Sequence, residues 1–229
     1  MSTKIAIVTG AAGNLGRAVV TKFIDNQFKV IATVRKKGPA PGAPANLEEA
    51  EIDLTDEESC QKFIDQTIVE NNSIDVAVLT AGGFTMGNVA VTKTSDIAKQ
   101  YKLNFETAYN IARPVFTQML KQNSGRIFLI GSRQGLDVSH AKGVTAYAFS
   151  KSLIFRLAEI MNLEAKGKNV VVSVIVPSTI DTPQNRESMP DADSGSWVSP
   201  AQIADVIYYY SAKEADILRE PVLKVYNNA

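Results

Sequence analysis

Tyr147 and Lys151 stand four residues apart in Tyr147-Ala148-Phe149-Ser150-Lys151, inside a long run patterned as a helix. On a helix this spacing puts both side chains on one face, where the ammonium favours the phenolate by its nearby positive charge. A free tyrosine titrates near pH ~10, so bringing it to neutrality takes about 4 kcal/mol of differential stabilisation. A tyrosine so tuned is a proton donor for a developing alkoxide, because an acid works best with a pKa near the working pH. Tyr-x-x-x-Lys also arises in ordinary helices, where the tyrosine is an interfacial core aromatic, so the surrounding motifs decide.

A second constellation precedes it. Thr9-Gly10-Ala11-Ala12-Gly13-Asn14-Leu15-Gly16 directly follows the first apolar run and opens an amphipathic segment. Glycines there let the backbone turn tightly and approach a pyrophosphate, whose charge is met by free N–H groups at a helix N-terminus. The spacing is Gly-x-x-Gly-x-x-Gly, and its place after the first strand is what lifts it above turn punctuation. The candidate dinucleotide contacts are Gly10, Ala12, Gly13, Asn14, Leu15 and Gly16. The second apolar run ends in Thr33-Val34-Arg35-Lys36-Lys37. An acid at this point would bind a ribose 2′-hydroxyl, whereas Arg35 matches a 2′-phosphate, so NADP(H) is expected in preference to NAD(H). The bland alternative is a loop solvated by three cations. Asp53, in Ile52-Asp53-Leu54 at the end of the third strand, either binds the adenine amino group or caps the turn.

These residues need a scaffold. Apolar runs Ile5–Val8, Val30–Val34, Ile74–Leu79, Ile127–Ile130 and Val170–Val176 read as strands buried on both faces. Helical stretches lie between them, at about Asn14–Asp25, Asp56–Glu70, Asp96–Lys121, Thr145–Ala165 and Pro200–Ala212. Alternation of the two kinds predicts an α/β fold: a single-domain, Rossmann-type, doubly wound parallel sheet flanked by helices, spanning residues 1–229 and closed by a short strand at Val222–Val225. Thr55-Asp56-Glu57-Glu58 and Ser199-Pro200-Ala201-Gln202 fit capping boxes at two helix starts. Lys36–Asn46 and Ser178–Ser196, punctuated by proline, read as loops.

Composition narrows the function. The 229 residues carry 24 basic and 24 acidic side chains, which removes the broad positive field of a nucleic-acid binder. Apolar residues at 45% and no long apolar stretch suggest neither disorder nor a membrane role. One cysteine, Cys60, and one histidine, His140, exclude an internal disulfide or a Cys/His zinc site, so no metal is expected. Without a leader pattern at Met1-Ser2-Thr3-Lys4, the expected location is the cytoplasm.

Taken in order, these motifs resemble the short-chain dehydrogenase/reductase family from Lys4 through Val225. The matching pieces are Thr9–Gly16, Asp53, Leu79-Thr80-Ala81-Gly82 where the family often has Asn-Asn-Ala-Gly, and Asn104. Then come Ser132 in Ile130-Gly131-Ser132, Tyr147, Lys151, and Val176-Pro177-Ser178-Thr179-Ile180-Asp181-Thr182, where Pro-Gly is commoner. The resemblance implies that Tyr147 protonates a substrate carbonyl oxygen, Ser132 hydrogen-bonds the same oxygen, Lys151 also holds the nicotinamide ribose, and Asn104 supports a proton-relay water. It further implies dinucleotide contacts at Leu54, Ala81, Gly82, Pro177, Thr179, Ile180 and Thr182. The expected partner is a small-molecule ketone or aldehyde, and a homodimer or homotetramer is expected through the helices containing Asn104 and Tyr147.

Two other readings remain open. Asp181-Thr182-Pro183-Gln184-Asn185-Arg186 and Ala81-Gly82-Gly83-Phe84 resemble dihydropteridine reductases, although these favour NADH and lack a counterpart of Ser132. A nucleotide-sensing regulator would keep the fold without turnover, but such proteins usually lack the tyrosine-lysine pair.

Overall fold

The computed structural model describes residues 3–37, 42 and 44–228. Near the middle of its sheet is β1 (Ile5–Thr9), every residue of which is buried. On either side lie β2 (Lys29–Val34), β3 (Leu47–Glu51), β4 (Val76–Leu79), β5 (Ser124–Ile130), β6 (Asn169–Pro177) and β7 (Val222–Val225), all parallel, in the order β3-β2-β1-β4-β5-β6-β7. The order reverses between β1 and β4, which opens a crevice beyond the carboxyl ends of these two strands.

Helices cover both faces because central strands without polar alternation must be buried twice. On one face α1 (Asn14–Asp25) and α8 (Pro200–Ser211) place Val19, Phe23, Ile203 and Ile207 against Val8, Val30 and Phe128. On the other, α2 (Glu57–Asn71), α4 (Thr107–Gln122) and α6 (Thr145–Glu164) place Ile64, Ile111 and Ile154 against Ile7, Ala77 and Leu129.

The structure amends several expected boundaries. The third strand ends at Glu51, and Ile52-Asp53-Leu54 leads out of it. The N-cap of α2 is Asp56, which accepts from the amides of Glu58 and Ser59, while Thr55 turns back to Asp53. The capping box at Ser199 and Gln202 forms as expected. The stretch Asp96–Lys121 is not one regular helix: α3 (Thr94–Tyr101) and α4 are joined by a π-helical turn at Lys102–Glu106, which carries Asn104. Such widened turns often mark functional positions. Ser178–Ser196 contains a short helix, α7 (Pro183–Ser188), capped by Thr182. Within Lys36–Asn46, residues 38–41 and 43 lie outside the described residues. No helix among the described residues is long and apolar enough to cross a membrane.

Candidate active site

At the carboxyl end of β1 the chain needs glycine in two places. Gly10 adopts φ +64°, and a Cβ there would lie 2.9 Å from the amide nitrogen of Ala81 at the end of β4. A Cβ on Gly16 would lie 2.3 Å from the carbonyl oxygen of Gly10. The loop is thus folded onto its own helix, and Gly13 opens α1 with no side-chain cap. The amides of Asn14, Leu15 and Gly16 begin the helix with no preceding helical carbonyl, the arrangement that receives a phosphate. Ala11 N–H donates to Thr33 O at 3.2 Å, which brings the end of β2 against the loop. Arg35 is exposed two residues beyond Thr33.

Asp53 is exposed, and its Oδ1 accepts from the amide and hydroxyl of Thr55 at 2.9 and 2.7 Å. These two bonds hold its carboxyl below the usual range. The turn-capping alternative is therefore real, with one oxygen left over. Leu54 directs its carbonyl to Asn110 Nδ2 at 3.0 Å, tying this corner to α4.

The chemical groups gather at the ends of β4, β5 and β6. Between β5 and α6 the chain makes a four-residue helix, α5 (Arg133–Leu136), and a 3₁₀ turn at Val138–His140. These elements fold the long Ser132-to-Tyr147 interval back on itself. Ser132 N-caps α5, its Oγ accepting from Gly135 N–H at 3.1 Å. The Ser132 side chain also lies by the Tyr147 hydroxyl, where it favours the phenolate. His140, in the same interval, is exposed.

The electrostatics differ from the tuning expected of the Tyr147-Lys151 pair. Burial raises Tyr147 above its ordinary 10, and the nearby Ser132 opposes that rise. Lys151 is only 5% exposed, and burial depresses it to about 8. Its Nζ lies 6.0 Å from the Tyr147 ring centroid and donates to Ile130 O at 2.7 Å. The two groups share a helix face as expected, yet desolvation by the protein dominates both.

Asn104, 1% exposed, is a clamp. Its Oδ1 accepts from Gly83 N–H at 2.9 Å, and its Nδ2 donates to Gly83 O at 3.0 Å, Gln100 Oε1 at 2.9 Å and Ser150 Oγ at 3.1 Å. A Cβ on Gly82 would lie 2.7 Å from that Oδ1 and 3.6 Å from Lys151 Nζ, so Ala81-Gly82-Gly83 runs as bare backbone between clamp and ammonium. At the end of β6, Pro177 and Ser178 are buried, Thr179 O accepts from Val198 N–H at 3.0 Å, and Ile180 bridges to Val198. Beyond them α7 reaches across the crevice, where Asn14 Nδ2 donates to Gln184 Oε1 at 2.8 Å.

The sequence assigns no role to Gln100 or Ser150, and it offers Gln184 and Phe84 only as parts of the motifs that resemble dihydropteridine reductases. Gln100 and Asn104 carry a weak signal, an amide pair at helical spacing, and Ser150 lies inside the Tyr147-to-Lys151 motif. The dihydropteridine reductase-like motifs do not foretell the contact of Gln184 with Asn14 or of Phe84 with Tyr147.

A dinucleotide fits these residues: the crowded glycines keep backbone clear for a pyrophosphate, and the helix amides lie beside it. Among the described residues no group of three His, Cys, Asp or Glu side chains is placed to hold a metal ion.

Residues 4–193 match the family model described as short chain dehydrogenase. The 3-oxoacyl-[acyl-carrier-protein] reductase FabG of Thermotoga maritima is 24% identical over 238 residues, which cover 97% of this chain and 96% of the relative. An acetoacetyl-CoA reductase of an Acinetobacter strain is 27% identical over 223 residues, covering 90% of this chain and 89% of the relative. Among solved structures, ElxO with NADP bound superposes with a TM-score of 0.89 at 22% identity, covering 98% of this chain and 97% of that one. That last likeness bears on the fold.

Proposed function

This chain belongs to the short chain dehydrogenase family and is an oxidoreductase of it, and from that premise we propose that it reduces a ketone or aldehyde with NADPH, Tyr147 donating the proton. The observation that carries this reading is the placement of Tyr147 over the buried Lys151, whose Nζ lies 6.0 Å from the ring centroid and donates to Ile130 O two residues before Ser132.

The bound reduced nicotinamide supplies the hydride. The glycine loop and the first amides of α1 receive the pyrophosphate, and Arg35 pairs with the 2′-phosphate. Leu54, Ala81, Gly82, Pro177, Thr179, Ile180 and Thr182 would line the rest of the dinucleotide path, and Asp53 would bind the adenine amino group. Tyr147 gives its proton to the carbonyl oxygen as charge builds there, and Ser132 donates a hydrogen bond to the same oxygen. Lys151 holds the ribose and supplies positive charge near the phenol. Asn104, its side chain committed to Gly83, Gln100 and Ser150, acts as a positioning residue for the Gly82–Gly83 turn beside Lys151.

The names of the relatives favour a ketone substrate, since those proteins are a 3-oxoacyl and an acetoacetyl reductase. A second copy of the chain is the partner we assign to the apolar face formed by Tyr101 and Tyr109 next to α6 with its exposed Phe149, Leu153 and Ile160. The protein is read as cytoplasmic. Incubating it with NADPH or NADH and a panel of ketones and aldehydes, while following absorbance of the reduced nicotinamide, tests the function. Oxidation of NADPH with at least one ketone supports it, and no oxidation across the panel contradicts it.

A further inference from the structure

The segment that leaves β4 carries unusual surface chemistry for a loop. Phe84, Met86, Val89 and Val91 are all exposed, Phe84 to 59%. Four large apolar side chains exposed within eight residues make this segment a candidate binding surface. The segment is also firmly tied. Gly87 N–H donates to Gly143 O at 2.7 Å, Thr145 N–H donates to Gly87 O at 2.8 Å, and Asn88 Oδ1 accepts from Ala90 N–H at 3.0 Å. The first two bonds fix the loop to the start of α6, where Tyr147 lies, and the third tightens the loop itself.

One contact shows which way the surface faces. The Phe84 ring packs edge-to-face on the Tyr147 ring, with centroids 5.0 Å apart and planes at 73°. The phenol proposed as proton donor is therefore continued outward by an aromatic surface with more than half its area open. A flat apolar group beside it would bury that area and gain the offset or edge geometry aromatic rings prefer. The thioether of Met86, two residues on, adds a polarisable neighbour suited to an aromatic guest.

We propose that Phe84 is a substrate-positioning residue that makes the site selective for carbonyls borne on an aromatic or extended apolar body, which lies against Phe84 while its carbonyl oxygen faces Tyr147. This rests on the reading of Tyr147 as the proton donor. It goes beyond that reading by setting the substrate class, and it separates this site from one built for small polar ketones.

The test measures binding apart from turnover. Saturation-transfer NMR on the protein with NADP⁺ present compares acetophenone with 3-hydroxybutan-2-one for the wild type, Phe84→Ala, Phe84→Tyr and Tyr147→Phe. The wild type is expected to transfer saturation to the acetophenone ring protons several-fold more strongly than to the hydroxybutanone. Phe84→Ala should lose that preference, Phe84→Tyr should restore it, and Tyr147→Phe should keep it. Circular dichroism of Phe84→Ala should match the wild type, since the ring is largely exposed. Equal acetophenone binding by Phe84→Ala, or a wild type that binds neither probe or prefers the hydroxybutanone, overturns the proposal. So does a change of oligomeric state in Phe84→Ala, which would assign the ring to a subunit contact. Ring-selective binding without reduction of any carbonyl by NADPH would defeat the proposed function while leaving the apolar subsite standing.

Discussion

Lys151 Nζ donates to the carbonyl oxygen of Ile130 at 2.7 Å, so the ammonium is anchored to the end of β5 two residues before Ser132. Burial depresses this lysine from 10.5 to about 8. Between these values the unfolded chain binds more protons than the folded one, so this group's contribution to stability rises with pH across the window. Below it, the fold bears the cost of a buried charge. Lys151→Met is therefore expected to stabilise the protein at pH 7 by on the order of 1–3 kcal/mol, less whatever the lost bond to Ile130 was worth. The gain should disappear by about pH 10.5. Urea unfolding at pH 7 and pH 10.5 checks this, and a variant less stable than the wild type at pH 7 would show that the Ile130 bond outweighs the burial cost.

Coenzyme choice is expected to reside in Arg35, exposed beyond the end of β2 and two residues past the carbonyl that holds Ala11. Arg35→Ala should weaken NADPH binding more than NADH binding, by roughly 1–3 kcal/mol for loss of a charge-assisted contact. Titration calorimetry with both coenzymes measures the difference. Equal affinities in the wild type would remove the basis for the assignment.

The Asn104 clamp is expected to be costly to remove. Asn104→Ala strands the Gly83 amide and frees Ser150, which should cost about 2–3 kcal/mol of stability. Gly82→Ala should disturb the same contact from the other side, because its Cβ would lie 2.7 Å from Asn104 Oδ1. If the two residues act as one unit, the double variant loses less than the sum of the single losses. Additive losses in denaturant unfolding would argue that the clamp and the turn are independent.

The Asn14-Gln184 bond spans from the glycine loop to α7 through an exposed side-chain pair, and the segment after β6 is expected to act as a lid. Gln184→Ala should speed hydrogen exchange through Pro183–Ser188 in the free protein. Coenzyme and substrate should slow exchange there in the wild type. Identical exchange in the free and ternary states would leave the segment without a gating role.

Much of this arrangement was legible in the chain because it depends on local chemistry. Strands buried on both faces read as unbroken β-branched runs, Gly10 and Gly16 announce backbone crowding, and Tyr147 with Lys151 declares a shared helix face. What could not be read depends on distant segments meeting. The π-helical turn at Lys102–Glu106 leaves no break in the helical pattern, yet it coincides with the contacts Asn104 makes to Gly83 and Ser150. The Phe84-Tyr147 pair joins residues on separate elements. The balance of charge was also hidden, since helical spacing suggests that Lys151 lowers the tyrosine pKa, whereas burial, visible only in the fold, raises it.

The central claim is that the Tyr147 hydroxyl, beside Ser132 and Lys151, is the proton donor. Tyr147→Phe removes that oxygen and little else. The decisive measurement is the single-turnover rate of NADPH oxidation by Tyr147→Phe, on a ketone the wild type reduces, alongside NADPH binding by fluorescence. Binding is expected to persist while the rate falls by about 10²-fold or more, the scale for losing a positioned acid. A variant that keeps the wild-type rate would make the tyrosine structural and contradict the account.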